Sequence, residues 1–203
     1  MKRFPVVATA IVALAVAAMI ALGFWQLFDR RPKKLAYLRE LAANPTRPPI
    51  AFPRVPVGDD LLFRRASGFC LQPVSFAVEG AGARGFRVIA RCRTGIEGPG
   101  FTVQLGTTRD PDAKPAWRGG RVSGIISHAP DHRSLIAGLF GKQPPAELML
   151  VASRPAPGLA ANPAPSIDAM PNNHLAYGVQ WFLFAAVALI IYGLAVWRRI
   201  RRV

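Results

Sequence analysis

Two long apolar runs, one near each end of the chain, dominate its hydrophobic pattern. Residues 6–28 include only Thr9 and Gln26 as polar members, and residues 175–197 are almost free of charge. Each run has about 23 residues, which is enough for an α-helix to cross the hydrocarbon core of a bilayer. A cleaved signal peptide is an alternative for the first run, but its length and Trp25 at its end favour an uncleaved membrane anchor.

Between the runs the pattern changes to strict alternation of apolar and polar positions, which is typical of strands with one buried face. The predicted strands are 74–78, 86–92 and 101–105, with further candidates at 122–127 and 148–152.

Three other stretches of the middle segment have different patterns. Helical spacing at 33–43 predicts that the first helix continues outward or bends until Asn44 and Pro45 stop it. Residues 135–140 suggest one short helix. Residues 154–171 are rich in Pro and Ala without periodicity, which predicts a linker back to the membrane.

These patterns predict a membrane protein in which two transmembrane α-helices flank a small, mainly antiparallel β domain of the α+β class outside the cytoplasm. The expected segments are a cytoplasmic tail 1–5, a first transmembrane helix 6–28, a β-rich periplasmic domain with Pro-rich linkers 29–173, a second transmembrane helix 174–197 and a basic cytoplasmic tail 198–203.

Charge orients this arrangement. The formal net charge is +15, and all eleven acidic residues lie between the two runs. Basic tails tend to remain in the cytoplasm, although five basic residues at 30–39 compete on the other side of the first run; long loops are translocated largely regardless of charge. We therefore expect a periplasmic central domain. Attraction to anionic lipid headgroups explains the basic excess, and no nucleic-acid partner is expected because no nucleic-acid-binding motif is recognisable.

The two cysteines, Cys70 and Cys92, are too far apart in sequence for a CxxC redox or metal motif. In an oxidising periplasm they could form a disulfide. The alternative of two small buried, unpaired side chains is slightly favoured, because cysteine often behaves as a small hydrophobic residue.

No catalytic constellation is evident in the sequence, so we do not expect an enzyme. His128 and His132 are four residues apart, as metal ligands on a helix would be, but Pro130 lies between them. Two exposed loop histidines are the favoured interpretation.

The start of the second apolar run carries a more informative pattern. His174, Tyr177, Gly178 and Trp181 fall at helical positions i, i+3, i+4 and i+7, and so share one helix face. A flat aromatic ligand could lie over Gly178, with His174 as axial ligand of a haem iron. Spacing alone favours an aromatic belt at the membrane interface.

The strings NNHLAYGVQWF and LGFWQL, with the two-span layout, resemble the Surfeit locus protein 1 family of cytochrome c oxidase assembly factors. The matching positions are Gly23, Trp25, Gln26, Leu27, Asn172, Asn173, His174, Leu175, Tyr177, Trp181 and Phe182. The chain departs from the family where Asp29 replaces an arginine, and where Leu105 and Thr107 replace the arginine and tryptophan of a central strand. It therefore resembles a divergent bacterial member.

The resemblance implies a role in maturing the haem a-containing subunit of a terminal oxidase at the bacterial inner membrane. It implies transient binding of haem a, with His174 as the iron ligand. Tyr177, Trp181, Trp25 and Gln26 are weaker candidates for lining a pocket. The implied partners are cytochrome c oxidase subunit I, haem a synthase and the lipid bilayer.

Two alternatives remain at this point. The chain could be a cofactor-free, membrane-anchored module that docks on an oxidase subunit. It could also deliver copper, which requires clustered soft ligands; only Cys70, Cys92, Met149 and Met170 are candidates.

Overall fold

The computed structural model describes residues 5–53, 58–95, 100–133 and 145–201. The short helix predicted at 135–140 lies outside these residues. The chain divides into two compact units, a helical unit of Met1–Leu38 with Met170–Val203, and a β unit of Arg39–Ala169.

The first helical segment is longer than its apolar run. Helix α1, Val6–Trp25, passes through a π-helical turn, Gln26–Arg30, directly into helix α2, Arg31–Ala42. Pro32 explains the wide turn, because proline cannot donate to the carbonyl four residues earlier and its ring clashes with that group. The expected outward continuation of the first helix is thus confirmed, and the helix ends just before Asn44, as predicted.

Helix α3, His174–Arg201, contains the second apolar run and extends beyond it. Arg198, Arg199 and Arg201 occupy its last turn, where positive charge stabilises the helix dipole. Both helical segments are long and apolar enough to cross a membrane, and only 11% and 6% of their apolar windows are buried. This exposure distinguishes them from the core helices of a soluble protein, which are buried on most sides.

Within the helical unit, α1 packs against α3 through small residues and polar contacts. The ring of Phe182 lies against Gly23, where a Cβ atom would be 2.7 Å from the ring. Further along, the hydroxyls of Thr9 and Tyr192 share a hydrogen bond of 2.5 Å. Glycine at a helix contact and polar pairs between helices are the means by which membrane helices associate.

The β unit is built on one seven-stranded sheet with the order β1-β2-β6-β7-β5-β4-β3. Its strands are β1 Ile50–Ala51, β2 Arg65–Cys70, β3 Gln72–Gly80, β4 Phe86–Arg93, β5 Phe101–Thr108, β6 Gly120–His128 and β7 Leu148–Ala152. All five predicted strands are present, as β3 to β7. The structure has two further strands, β1 and β2, which the sequence pattern did not predict. The sheet is mixed, since β1 pairs with β2 and β5 pairs with β7 in parallel while the other pairs are antiparallel.

Strand β5 corrects the expectation of one buried face. Thr102 and Gln104, predicted to be exposed, are only 5% and 6% exposed. The Thr102 hydroxyl donates to the Glu147 carboxylate at 2.6 Å, and the Gln104 amide donates to Asn162 Oδ1 at 2.8 Å. Because β5 lies inside the sheet with cover on both faces, its polar side chains need such partners.

The stretch 154–171 is not a free linker along its whole length. Its first part packs on β5, where Ala160 and Thr107 exchange two backbone hydrogen bonds of 2.8 and 2.9 Å. A Cβ atom on Gly106 would lie 2.6 Å from Leu159 Cβ, so the glycine permits this close approach. The Pro- and Ala-rich composition predicted a linker here, but the first part of this stretch is an ordered segment of the β unit.

A disulfide joins Cys70 at the end of β2 to Cys92 on β4, with Cα atoms 5.2 Å apart. The favoured interpretation of two unpaired thiols therefore does not describe the structure. Strands β2 and β3 are consecutive in sequence but lie far apart in the sheet order. The disulfide and a 2.8 Å hydrogen bond from Leu71 N–H to Arg93 O hold this corner together.

Candidate functional site

His174, the first residue of α3, contacts Gln26 in the π-helical turn. The two side chains are half-buried, and His174 Nδ1 lies 2.7 Å from Gln26 Oε1. A carbonyl oxygen only accepts hydrogen bonds, so Nδ1 carries the proton and donates. When the imidazole is neutral, this arrangement leaves the lone pair on Nε2, and that nitrogen is then the one able to bind a metal.

The π-helical turn gives Gln26 its place in this contact. The backbone N–H of Arg31 donates to Gln26 O, five residues back, as a π turn requires. Single π turns inside α-helices occur frequently at functional sites. The sequence signal for this turn is Pro32, six residues after Gln26.

The space beside Gly178, where a flat ligand was expected, is occupied by α1 and the π turn in the structure. Gly178 is buried, and a Cβ atom there would lie 2.7 Å from Leu27 Cδ2 and 3.5 Å from Gly23 O. Helix packing against α1 fills this gap, which explains the small residue without any ligand. On the helix face predicted from spacing, Gly178 therefore makes a helix contact, while His174 is half-buried.

Two of the three aromatic residues near the site, Trp181 and Trp25, have contacts of their own, and the third, Tyr177, is exposed. Trp181 makes an edge contact with Phe184, with ring centroids 6.2 Å apart. The Arg30 guanidinium lies 4.6 Å from the Trp25 ring centroid, and Tyr177 is 49% exposed. Of the weaker pocket candidates, Gln26 is the one that the structure brings into hydrogen-bonding contact with His174.

Asn172, two residues before His174, has an unusual side chain. Its Oδ1 atom is buried and has no hydrogen-bond partner in the described part of the chain. A buried acceptor without a donor is rare in native proteins and marks a place where an additional group can donate. The feature lies beside the histidine, where sequence matching alone gave it no role.

Positive charge follows the π turn along α2. Asp29, at a position where the resemblance would place an arginine, is paired with Lys33 Nζ at 2.5 Å. Arg30, Arg31 and Lys34 add further positive charge. This end of the helical unit therefore suits anionic groups such as carboxylates or lipid phosphates.

The other histidines have partners in the β unit. His128, which ends β6, lies 2.8 Å from the Asp59 carboxylate, and the exposed His132 lies 3.1 Å from that of Glu79. The expectation of an exposed loop histidine is therefore wrong for His128, which is a half-buried strand residue. The described residues include no cluster of three or more His, Cys, Asp or Glu side chains able to hold a metal.

Two further observations limit the chemistry of the β unit. The disulfide removes both thiols as soft copper ligands, and Met149 is buried. In the turn that follows β6, a hydrogen bond from the Arg133 guanidinium lowers the pKa of Asp131 to about 2. That carboxylate serves a local turn, since it also accepts the Arg133 backbone N–H at 2.9 Å.

Comparison with known protein families identifies the family of this chain. The model of the SURF1 family, the Surfeit locus protein 1 family of the sequence analysis, matches residues 13–186. No individual curated protein matches the chain. The matched range includes both Gln26 and His174.

Proposed function

The chain belongs to the SURF1 family of oxidase assembly factors, and we propose that it assists the insertion of haem a into the catalytic subunit of cytochrome c oxidase, or stabilises that subunit. An assembly factor of this kind binds and releases its cargo without turning over a substrate, so the proposed role is not enzymatic.

The observation that carries this proposal is the hydrogen bond between His174 Nδ1 and Gln26 Oε1. A haem iron accepts a neutral histidine nitrogen as an axial ligand, and this contact leaves Nε2 available. The residues present therefore fit a haem held through a single protein ligand.

Each nearby group would have a distinct task in this proposal. Gln26 would orient the imidazole, and Trp25, Tyr177 and Trp181 would offer apolar surface to a macrocycle. The positive charge of Arg30 and Arg31 suits the carboxylates that a haem carries at its edge. A site with one ligand and exposed aromatic rings suits release to a partner better than permanent retention.

We place the protein in the bacterial inner membrane, with α1 and α3 crossing the lipid bilayer, both tails in the cytoplasm and the β unit in the periplasm. The apolar, exposed helix surfaces support the membrane location. The Cys70–Cys92 disulfide supports the periplasmic side for the β unit, because disulfides persist in oxidising compartments.

Cytochrome c oxidase subunit I, as the recipient, and haem a synthase, as the source, are the proposed partners. A second candidate function is that of a cofactor-free module that docks on an oxidase subunit. It is favoured by the apolar corner, which we define as Phe69, Leu71, Val74 and Phe76 at the β2–β3 junction. These side chains are 40–62% exposed, and concentrated apolar exposure marks interaction sites.

An oxidase-assembly experiment separates the two functions. A strain without this protein would be complemented with the wild type, with His174→Ala, or with Leu71→Ser/Val74→Ser in the apolar corner. Haem a in the assembled oxidase is then measured per subunit I. We expect His174→Ala to reduce it severalfold, while His132→Ala, which changes an exposed histidine of the β unit, matches the wild type.

Full haem a content in the oxidase with His174→Ala, together with loss in the corner variant, would favour the cofactor-free module. Full haem a content without any complementing protein would contradict both functions.

A further inference from the structure

We propose that Gln26 is a positioning residue, which fixes the tautomer and the ring orientation of His174 so that Nε2 is presented to a haem iron. This inference rests on the proposed function. It gives Gln26 a specific role, in place of a general contribution to a pocket wall.

The direction of the hydrogen bond determines which ring nitrogen of His174 is protonated. The 2.7 Å contact between His174 Nδ1 and Gln26 Oε1 joins residues 148 positions apart in sequence. Since Oε1 can only accept, the bond holds the proton on Nδ1. In model compounds neutral imidazole exists as two tautomers, and the partner of one nitrogen decides which of the two is present.

The local backbone determines where the Gln26 side chain lies. Gln26 begins the π-helical turn, and Pro32, two residues after the turn ends, cannot donate the backbone hydrogen bond of a regular α-helix. The next residue, Leu27, packs against Gly178 on α3 one turn beyond His174. The π turn and the packing of Leu27 therefore position the backbone of Gln26 so that its side chain lies beside the imidazole.

Loss of the Gln26 acceptor should weaken the binding of iron by His174. Histidine ligands of metals almost always donate their other ring N–H to a carboxylate, carbonyl or water, and loss of that partner typically weakens metal binding by about 10–100-fold. An amide carbonyl supplies the same kind of acceptor. Removal of Gln26 should therefore weaken haem binding without removing the ligand.

The main competing explanation is that Gln26 only ties the two helices together. The chain provides a matched control, because Thr9 and Tyr192 form a second hydrogen bond between α1 and α3, far along the helices from His174. Thr9→Val removes that bond with little change of shape. A residue that acts only by joining the helices should behave as Thr9 does.

The experiment uses the full chain in detergent micelles. Nitrogen-15 NMR of the haem-free protein at neutral pH reports which ring nitrogen of His174 is protonated, and titration with purified haem a gives the affinity. The wild type is compared with Gln26→Leu, Gln26→Glu, Thr9→Val and His174→Ala. Circular dichroism verifies that each variant keeps its helices.

We expect Nδ1 protonation in the wild type and a mixture of tautomers in Gln26→Leu, with about 10–100-fold weaker haem a binding. Gln26→Glu keeps an acceptor oxygen and should restore both properties. Thr9→Val should resemble the wild type in both.

An unchanged tautomer and affinity in Gln26→Leu would overturn the role of Gln26, as would equal weakening by Thr9→Val. In either case, loss of binding in His174→Ala would leave the proposed function standing. Unchanged haem a affinity in His174→Ala would instead remove the ligand assignment, and with it both proposals.

Discussion

At the scale of single residues, the role proposed for His174 depends on its contact with Gln26 in another helical segment. Spacing along α3 grouped the histidine with Tyr177, Gly178 and Trp181, and this grouping could be read from the sequence. The contact with Gln26 could not, because it depends on how two distant helices pack and on a local π turn. The glycine of the same group packs against Leu27 of the π turn and the backbone of Gly23.

The closest backbone approach among the described glycines is at Gly124 in β6, between β2 and β7. A Cβ atom there would overlap the carbonyl oxygen of Val151, which is backbone and cannot rotate away. We expect Gly124→Ala to destabilise the β unit by roughly 1–3 kcal/mol through overpacking. Thermal unfolding followed by circular dichroism would measure the loss.

The matched control for this substitution is Gly80→Ala at the end of β3, where no atom lies within 4 Å of the added Cβ position. It should remain within about 0.5 kcal/mol of the wild type, as exposed substitutions usually do. Equal unfolding midpoints for the two variants would show that the β6–β7 approach is looser than the structure indicates.

At the scale of elements, alternation found the strands that bury a clear apolar set. It missed β1, which has two residues, and β2, where Ser67 and Gly68 interrupt the pattern. The alternation pattern also could not predict which strands pair in parallel, because it is the same in parallel and antiparallel pairs. The full burial of β5 depends on Asn162 and Glu147, which come from distant segments.

The disulfide at the β2–β3 corner should contribute to the free energy of unfolding of the β unit. It closes a loop with a sequence separation of 22 residues, for which the chain-entropy model gives about 3 kcal/mol of stabilisation. The double variant Cys70→Ser/Cys92→Ser should therefore unfold at a clearly lower temperature. A reducing agent should lower the wild-type midpoint towards that of the variant and leave the variant unchanged.

An unfolding midpoint of the wild type that equals that of the double variant under oxidising conditions would contradict this stabilisation. The control with reductant separates loss of the disulfide from loss of packing by the serine substitutions.

At the scale of the whole molecule, the sequence predicted two apolar helices around a β domain because hydrophobic patterning decides both. The family match over residues 13–186 agrees with the resemblance carried by the two short strings at the helix ends. Leu105 and Thr107 are both buried in β5, so this chain completes its central strand without the arginine and tryptophan that the resemblance would place there. Divergence within the strand is thus compatible with the fold.

The proposed function depends on His174 Nε2 as the ligand of a haem iron. The most direct measurement is the haem a content of the full chain purified from membranes that make haem a, obtained from its optical spectrum per mole of polypeptide. We predict that the wild type and His132→Ala co-purify with haem a, and that His174→Ala loses it. An equal haem a spectrum in His174→Ala and the wild type would contradict the account.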